Sequence, residues 1–257
     1  MAVPLLAAGV PYSAVRIPVL SDVHANLAAL EAVIADAADA GTDTPPWVLG
    51  DIVGYGPDPT EVIDRLRGLG AKAIAGNHDL AAAGLIAIDD FNPLAAAAVR
   101  WTAGIIDDTA REYLASLPAR LEEGDFTLVH GSPRDPVWEY LTSAEAITEC
   151  LAHFSTPVCL FGHTHVPIVI DASSSDLAVT QFTSAEPLRL AAERMYVNPG
   201  SVGQPRDGDP RASYAIVEPD TSTIEFRRVA YDIATTQARM RRARLPGPLI
   251  NRLAFGR

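Results

Sequence analysis

Residues 16–30 read RIPVLSDVHANLAAL. An apolar run, Ile17 to Leu20, stops at Ser21-Asp22-Val23-His24, and Asn26 then precedes Leu27, Leu30, Ile34 and Ala37 at helical spacing. The run is short and bounded by polar residues, which reads as a buried strand, and Asn26 is a good helix N-cap. Pro18 lies inside the strand without a backbone donor, so a bulge or one missing ladder bond is expected there. The same cadence recurs along the chain: TrpValLeu before Gly50-Asp51, AlaIleAla before Gly76-Asn77-His78-Asp79, PheThrLeuVal before His130-Gly131, CysLeuPhe before Gly162-His163-Thr164-His165, and TyrVal before Asn198-Pro199-Gly200-Ser201. Pro59 opens a second helix through Val62, Ile63 and Leu66. Strand, helix, strand, helix, strand predicts a parallel sheet, and in such sheets ligands gather at the carboxyl ends of the strands.

An Ala-rich helical insertion is expected over residues 80–117, between the third strand and the fourth. From Val166 the pattern turns to hairpins, with strands at Val166 to Ile170, Val179 to Phe182, Arg194 to Val197, Ser213 to Val217 and Thr223 to Val229. A last helix runs from Ile233 to Arg244, before Pro246. No linker or repeat divides the 257 residues, so residues 1–257 are expected to form one domain behind a loose leader over 1–14.

With 48% hydrophobic and 20% charged residues the chain has the content of a packed globule. Twenty Lys+Arg against 32 Asp+Glu leave a net charge of −12, which disfavours nucleic-acid polymers and anionic membrane surfaces as partners. Lys72 is the single lysine. Cys150 to Ile170 carries no charged residue, but His153, His163, His165, Pro157 and Pro167 argue against a membrane span. The apolar N-terminus lacks the basic start of a signal peptide, its first positive residue being Arg16. The two cysteines, Cys150 and Cys159, read as buried thiols of a cytoplasmic protein.

Every polar cluster sits at a strand end. Asp22 and His24 are two residues apart, as are His163 and His165, so each pair faces one way if the strand conformation persists. With Asp51, Asn77 and His130 they make seven nitrogen and oxygen donors without a thiolate, a set suited to Mn, Fe, Zn or Ni. Singly, such Asp and Asn residues are more often caps or turn residues; together, in order, they favour a metal site.

The ordered blocks Asp22-Val23-His24, Gly50-Asp51, Gly76-Asn77-His78-Asp79, His130 and Gly162-His163-Thr164-His165 resemble the calcineurin-like metallophosphoesterases, whose pattern is DxH, GD, GNH(D/E), H and GHxH. Asn198-Pro199-Gly200-Ser201 and Ser213-Tyr214-Ala215 extend the resemblance to the small bacterial phosphodiesterase and diadenosine-tetraphosphatase-like branch. The resemblance implies an α/β four-layer sandwich, two mixed β-sheets flanked by helices. It also implies a binuclear centre that hydrolyses a small phosphodiester or phosphomonoester by in-line attack of a metal-bridging hydroxide. On that likeness Asp22, His24, Asp51 and His165 hold one divalent metal ion, Mn first among the candidates, and Asp51, Asn77, His130 and His163 hold the other. Asp51 bridges, and His78 is left to act on the phosphoryl or leaving oxygen.

Protein serine/threonine phosphatases of this superfamily carry GDxVDRG, whereas Gly54 and Tyr55 stand here in place of its carboxylate and arginine. The partner that orients His78 is therefore open between Asp58 and Asp79. Tyr55, Arg134, Trp138 and Arg206 are candidate substrate contacts, weighed against ordinary loop packing, and Phe91, Trp101 and Tyr140 are candidates to roof the pocket. The rival readings are an idle metal-binding scaffold on the same fold and a serine/threonine-type protein phosphatase; the presence of His78 speaks against the first.

Overall fold

The computed structural model describes residues 15–174, 176–181, 187–190 and 193–257. The leader expected over 1–14, and Phe182 at the expected end of a strand, lie outside them. In chain order the elements are β1 (Ile17–Leu20), α1 (Leu27–Asp39), β2 (Trp47–Val48), α2 (Pro59–Gly68), β3 (Lys72–Ala73), α3 (Asn77–Ala82), α4 (Pro93–Ile105), α5 (Asp108–Ser116), β4 (Arg120–Glu123) and β5 (Phe126–Val129). There follow α6 (Ala144–Cys150), β6 (Val158–Leu160), β7 (Pro167–Asp171), β8 (Ala178–Gln181), β9 (Leu188–Arg189), β10 (Met195–Pro199), β11 (Ala212–Glu218), β12 (Thr223–Val229), α7 (Ile233–Arg242) and α8 (Gly247–Arg252).

The strands form two mixed six-stranded sheets, ordered β3-β2-β1-β11-β12-β9 and β4-β5-β6-β10-β7-β8. β1, β2 and β3 pair in parallel, as the alternation of strands and helices predicts, and so do β5, β6 and β10. Successive side chains point to opposite faces of a strand. Val19, Trp47, Leu128 and Leu160 accordingly enter the core between the sheets, while Leu20, Val48, Val129 and Phe161 enter the outer cores. Burial on both faces is why these strands read as unbroken apolar runs rather than alternating ones. α1, α2 and α5 cover the first sheet and α6 the second, giving the layer order helix, sheet, sheet, helix.

Several local expectations meet specific outcomes. Asn26 caps α1, its side chain accepting from the Ala29 N–H at 3.3 Å, and Pro59 opens α2. The β1–β11 register runs through Pro18–Ile216 without a bulge. Leu20 turns its carbonyl toward the second strand, accepting from Leu49 at 2.8 Å, so Pro18 faces the same way, before the β2 ladder begins at Val19–Trp47. Its missing donor therefore interrupts nothing. The insertion is helical, in α4 and α5, but β4, which pairs with the expected β5, and the short β9 escape a hydrophobic reading. β4 is an edge strand of sequence Arg-Leu-Glu-Glu, charged as edges often are. The helix expected to reach Arg244 ends at Arg242, and a further helix, α8, follows Pro246. No helix among the described residues is long and apolar enough to cross a membrane.

α1 is tied to the first sheet by one carboxylate. Asp36 accepts from the fully buried Tyr214 hydroxyl at 2.6 Å and from Arg227 Nε at 2.6 Å and Nη2 at 3.1 Å. Asp36→Ala leaves the Tyr214 hydroxyl without its acceptor, and a loss of about 1–3 kcal/mol is expected in urea unfolding. Hydrogen bonds from Arg227 hold the Asp36 carboxyl below its ordinary value. The stability it adds is thus present above the ordinary carboxylate range and lost as pH falls through the lowered value, so the gap between wild type and variant should close in acid. A gap that widens below pH 4 would contradict this.

Candidate metal centre

Asp22 and His24 follow β1, Asp51 follows β2, Asn77 opens α3 after β3, His130 follows β5, and His163 and His165 follow β6. The two sheets thus deliver all seven residues to one edge, where Asp22, His24 and His165 form one cluster and Asp51, His130 and His163 another. All seven are buried. The strand conformation does not persist through the motifs, as the two-residue spacing had assumed. Asp22, His24, Asp51, His163 and His165 all lie in the left-handed region, with φ of 52°, 48°, 52°, 65° and 60°. Each such turn costs a non-glycine residue on the order of 1 kcal/mol. The strained turns, not strand alternation, aim the side chains inward.

Nδ1 of His24, His130 and His165 each face a carbonyl, of Val53 at 3.1 Å, Leu49 at 2.8 Å and Gln204 at 2.6 Å. A carbonyl only accepts, so each Nδ1 carries the hydrogen; where the ring is neutral its Nε2 lone pair turns inward, and on His130 a proton takes that position when no cation does. His24 Nε2 and His165 Nε2 lie 3.2 Å apart, with Asp22 Oδ1 3.2 Å from His165 Nε2. His130 Nε2 lies 3.2 Å from Asn77 Oδ1 and 3.0 Å from His163 Nδ1. Asp51 Oδ2 is common to both groups, 3.6 Å from His24 Nε2 and 3.4 Å from His130 Nε2. Asp22 Oδ1 has no donor, whereas its Oδ2 accepts from the Ser21 hydroxyl at 2.6 Å and the His163 N–H at 3.2 Å. Buried acceptors converging on acceptors repel one another unless a cation sits among them. The donor set therefore fits divalent metal ions, and fits hard or borderline ones, since no thiolate takes part.

The electrostatics agree. Burial would raise the Asp51 carboxyl, but the His130 charge overrides it and holds Asp51 well below the carboxylate range. Burial would likewise lower His130, but Asp51 raises it to about 9, so a proton on His130 competes with a cation. Burial keeps His24 well below its ordinary value and takes His163 down to about 3.

Supporting residues came to light only in three dimensions. The Ser201 hydroxyl donates to the Asp22 carbonyl at 2.8 Å, and Asn198 Nδ2 donates to the Gly162 carbonyl at 2.7 Å, so this segment braces the ligand loops. Asp79 accepts from the N–H groups of Val53 and Gly76, both at 3.0 Å, tying together the loops after β2 and β3. Gly76 is needed for close approach, because a Cβ there would lie 2.1 Å from Asp51 Oδ1. The carboxylate directly after the Asn77-His78 pair was the available signal for Asp79, and the block Asn198-Pro199-Gly200-Ser201 the signal for Asn198 and Ser201; nothing in the local sequence marks Gln204.

Neither carboxylate considered for His78 reaches it: Asp79 is engaged as above, and Asp58 pairs with Arg239 at 2.6 Å. His78 Nδ1 has no hydrogen-bond partner among the described residues. The ring is held instead by rings, with centroids of Tyr55 at 4.4 Å, His24 at 5.0 Å and Phe91 at 5.0 Å. Gly54, at φ 88°, lies against it, and a Cβ there would be 2.3 Å from Nδ1. A larger residue at the position of the protein-phosphatase carboxylate would therefore displace His78.

A cavity of about 150 Å³ opens over the site, walled by Tyr55, Phe91, Trp138, Tyr140 and Arg206. Phe91 meets Trp138 edge to face at 5.0 Å, and Tyr140 stacks on His163 at 3.8 Å. Arg134 is not in the wall: its guanidinium is bound by Glu139 and Glu149. Trp101 packs instead in a satellite core with Ala98 and Met240.

Comparison with known proteins bears on this arrangement. Residues 15–222 match the calcineurin-like phosphoesterase superfamily domain. The crystal structure of a metallophosphoesterase from Sphaerobacter thermophilus is 48% identical, superposes with a TM-score of 0.86, and is matched over 95% of this chain and 100% of that one. An uncharacterised protein of Methanocaldococcus jannaschii is 36% identical over 247 residues, 94% of this chain and 98% of its own length. A symmetrical bis(5'-nucleosyl)-tetraphosphatase of Pectobacterium atrosepticum is 36% identical over 63 residues, 24% of this chain and 22% of its own length. The chain belongs to the calcineurin-like phosphoesterase superfamily, and is a hydrolase of phosphate esters.

Proposed function

We propose that the protein is a binuclear phosphoesterase acting on a small phosphodiester or phosphomonoester, nucleotide-like in size. Asp22, His24, Asp51 and His165 would hold one divalent ion and Asp51, Asn77, His130 and His163 the other. The observation that carries this reading is the pair of convergent acceptor groups sharing Asp51 Oδ2 beneath the aromatic-walled cavity. When bound, such ions supply positive charge to a phosphoryl group and acidify water. Mn is the first candidate, with Fe, Zn and Ni behind it.

The chain's own groups do the rest. His78 and Arg206 both line the cavity; His78 would donate to phosphoryl or leaving-group oxygens, and Arg206 adds a cation. Phe91, Trp138 and Tyr140 exclude water and offer faces for a base or an aromatic leaving group. The volume of about 150 Å³ suits a compact ester rather than a protein segment, and the net charge of −12 disfavours a nucleic-acid polymer. Two buried free thiols support a reducing, cytoplasmic setting.

After chelation and reloading with Mn²⁺, metal analysis should approach two ions per chain. One ion or none in a folded sample would refute the binuclear assignment. A panel of p-nitrophenyl monoester and diester, cyclic nucleotides, dinucleoside polyphosphates, a phosphopeptide and duplex DNA tests the substrate class. A phosphopeptide or duplex DNA as best substrate would overturn it.

A further inference from the structure

Arg206 is the one cation in the cavity wall among the described residues. Other arginines of the fold are matched by carboxylates, as Arg227 is by Asp36 and Arg239 by Asp58, or by main-chain carbonyls, as Arg111 is by Ala82 and Ala103 and Arg194 by Leu151 and Phe154, but none of these lines the cavity. Arg206 has none within ion-pair distance among the described residues. Its Nη2 donates to the neutral amide oxygen of Gln204 at 3.0 Å, its backbone N–H to the His165 carbonyl at 3.2 Å, and its Nε is buried without a partner. The guanidinium lies 5.8 Å from the centre of the Tyr55 ring. Two acids line the same cavity: Asp51, engaged with the imidazoles of the metal site, and Asp90, which is exposed.

A second guanidinium belongs to α8, which packs in one core with Tyr55 through Leu249 and Ile250, joined by Leu253. Arg252 of α8 is half-buried, its Nε donating to the main-chain oxygen of Arg257, and no Asp or Glu side chain pairs with it among the described residues. Burial first, and the Arg206 charge second, lower its guanidinium from the ordinary value; both arginines also act on the Tyr55 phenol. Two partly buried guanidinium groups on either side of one aromatic core repel each other and favour an anion. Gln204 connects this feature to the metal centre, because its carbonyl accepts from His165 Nδ1 while its side chain positions Arg206.

We propose that Arg206, backed by Arg252 through Tyr55, is an anion subsite that reads phosphoryl charge beyond the single negative charge of a simple diester. The inference rests on the phosphoesterase reading above and refines its substrate class. Two sources share this chemistry: the dianionic terminal group of a monoester, and a neighbouring phosphoryl in a polyphosphate chain. A charge-assisted hydrogen bond at a desolvated site is strong and is lost when the donor becomes neutral. Arg206→Gln keeps a polar side chain and removes the charge.

The test compares Mn-loaded wild type, Arg206→Gln, Arg206→Lys and Arg252→Gln on p-nitrophenyl phosphate, bis-p-nitrophenyl phosphate and a dinucleoside tetraphosphate, together with calorimetric binding of orthophosphate. In Arg206→Gln the loss of kcat/KM on the monoester should exceed that on the diester by about 10-fold or more. Orthophosphate should bind at least about 10-fold more weakly, Arg252→Gln should shift both in the same direction by less, and Arg206→Lys should recover part of each. A loss on the tetraphosphate matching that on the monoester would identify the neighbouring phosphoryl as a source too; a loss confined to the monoester would assign the subsite to the terminal dianion. Equal losses on monoester and diester with unchanged orthophosphate affinity would overturn the proposal. If Arg206→Gln sheds its metal, Arg206→Lys decides, since a cation restored without a restored monoester-to-diester ratio also overturns it. Failure of wild type to hydrolyse any ester would defeat the functional reading, while orthophosphate binding would still judge Arg206.

Discussion

Asp51→Asn is expected to lower kcat/KM by about 10³-fold or more, since one contact to developing charge is already worth about 10² to 10³. Asp51 serves more groups than any other ligand candidate. Its Oδ2 lies within 3.6 Å of His24 Nε2 and 3.4 Å of His130 Nε2, while Oδ1 accepts the His78 N–H at 2.9 Å. The amide oxygen of an asparagine can keep the His78 bond, which turns its NH₂ toward the two imidazole lone pairs. Hydrogens then occupy the space where a cation belongs. The metal-free variant also loses the Asp51–His130 ion pair, so it should be no more stable than metal-free wild type, and it should gain little from Mn²⁺. Wild type should gain about 4 kcal/mol at a thousand times its Kd. Asp22→Asn should do less harm, because Asp22 Oδ1 faces one group only. Metal content, unfolding with and without Mn²⁺, and turnover check this together. Two ions and near-normal rates in Asp51→Asn would show that Asp51 does not bridge.

His78→Ala should lower kcat by about 10² to 10³ with metal content intact. The sequence left two roles open for this imidazole, and its surroundings favour one of them. A general acid is normally poised by a carboxylate, but Asp51 takes the His78 backbone N–H and no carboxylate hydrogen-bonds His78 Nδ1 among the described residues, while burial lowers the ring to about 4. A neutral imidazole still donates through its N–H and stabilises phosphoryl oxygens as charge builds on them. The loss should then be similar for a good leaving group such as p-nitrophenolate and for a poor alkoxide, and kcat should stay flat from pH 6 to 8 as far as His78 is concerned. A loss concentrated on the poor leaving group would restore the acid role. Tyr55→Phe should retain most of the His78 contribution and Tyr55→Ala should not, because the ring packs at 4.4 Å on His78.

Much of this was legible along the chain, and what was not has a common cause. Short apolar runs before Asp22, Asp51, Asn77, His130 and His163 announced strands buried on both faces, and the order of those polar clusters announced the donor set. Asn26 and Pro59 marked their helices because capping and the proline ring act within one turn. The strand β4 carried no such mark, since an edge strand gains its place from pairing with β5 rather than from burial.

By itself, then, the sequence determined the local elements and the chemical types of the ligands, because propensity, capping and periodicity are short-range properties. Only the tertiary structure decided the rest. It showed that left-handed turns, not strand alternation, aim the ligands. It placed Asp51 within reach of both imidazole groups, freed His78 of a carboxylate, and spent Arg134 on Glu139 and Glu149 while leaving Arg206 without an acid. Those outcomes depend on which side chains meet across two sheets and a hundred or more residues of chain, as Asp22 meets His165 and His24 meets the loop of Gln204. Distances of 3 Å between charges, which set protonation and binding, exist only once the sheets have packed.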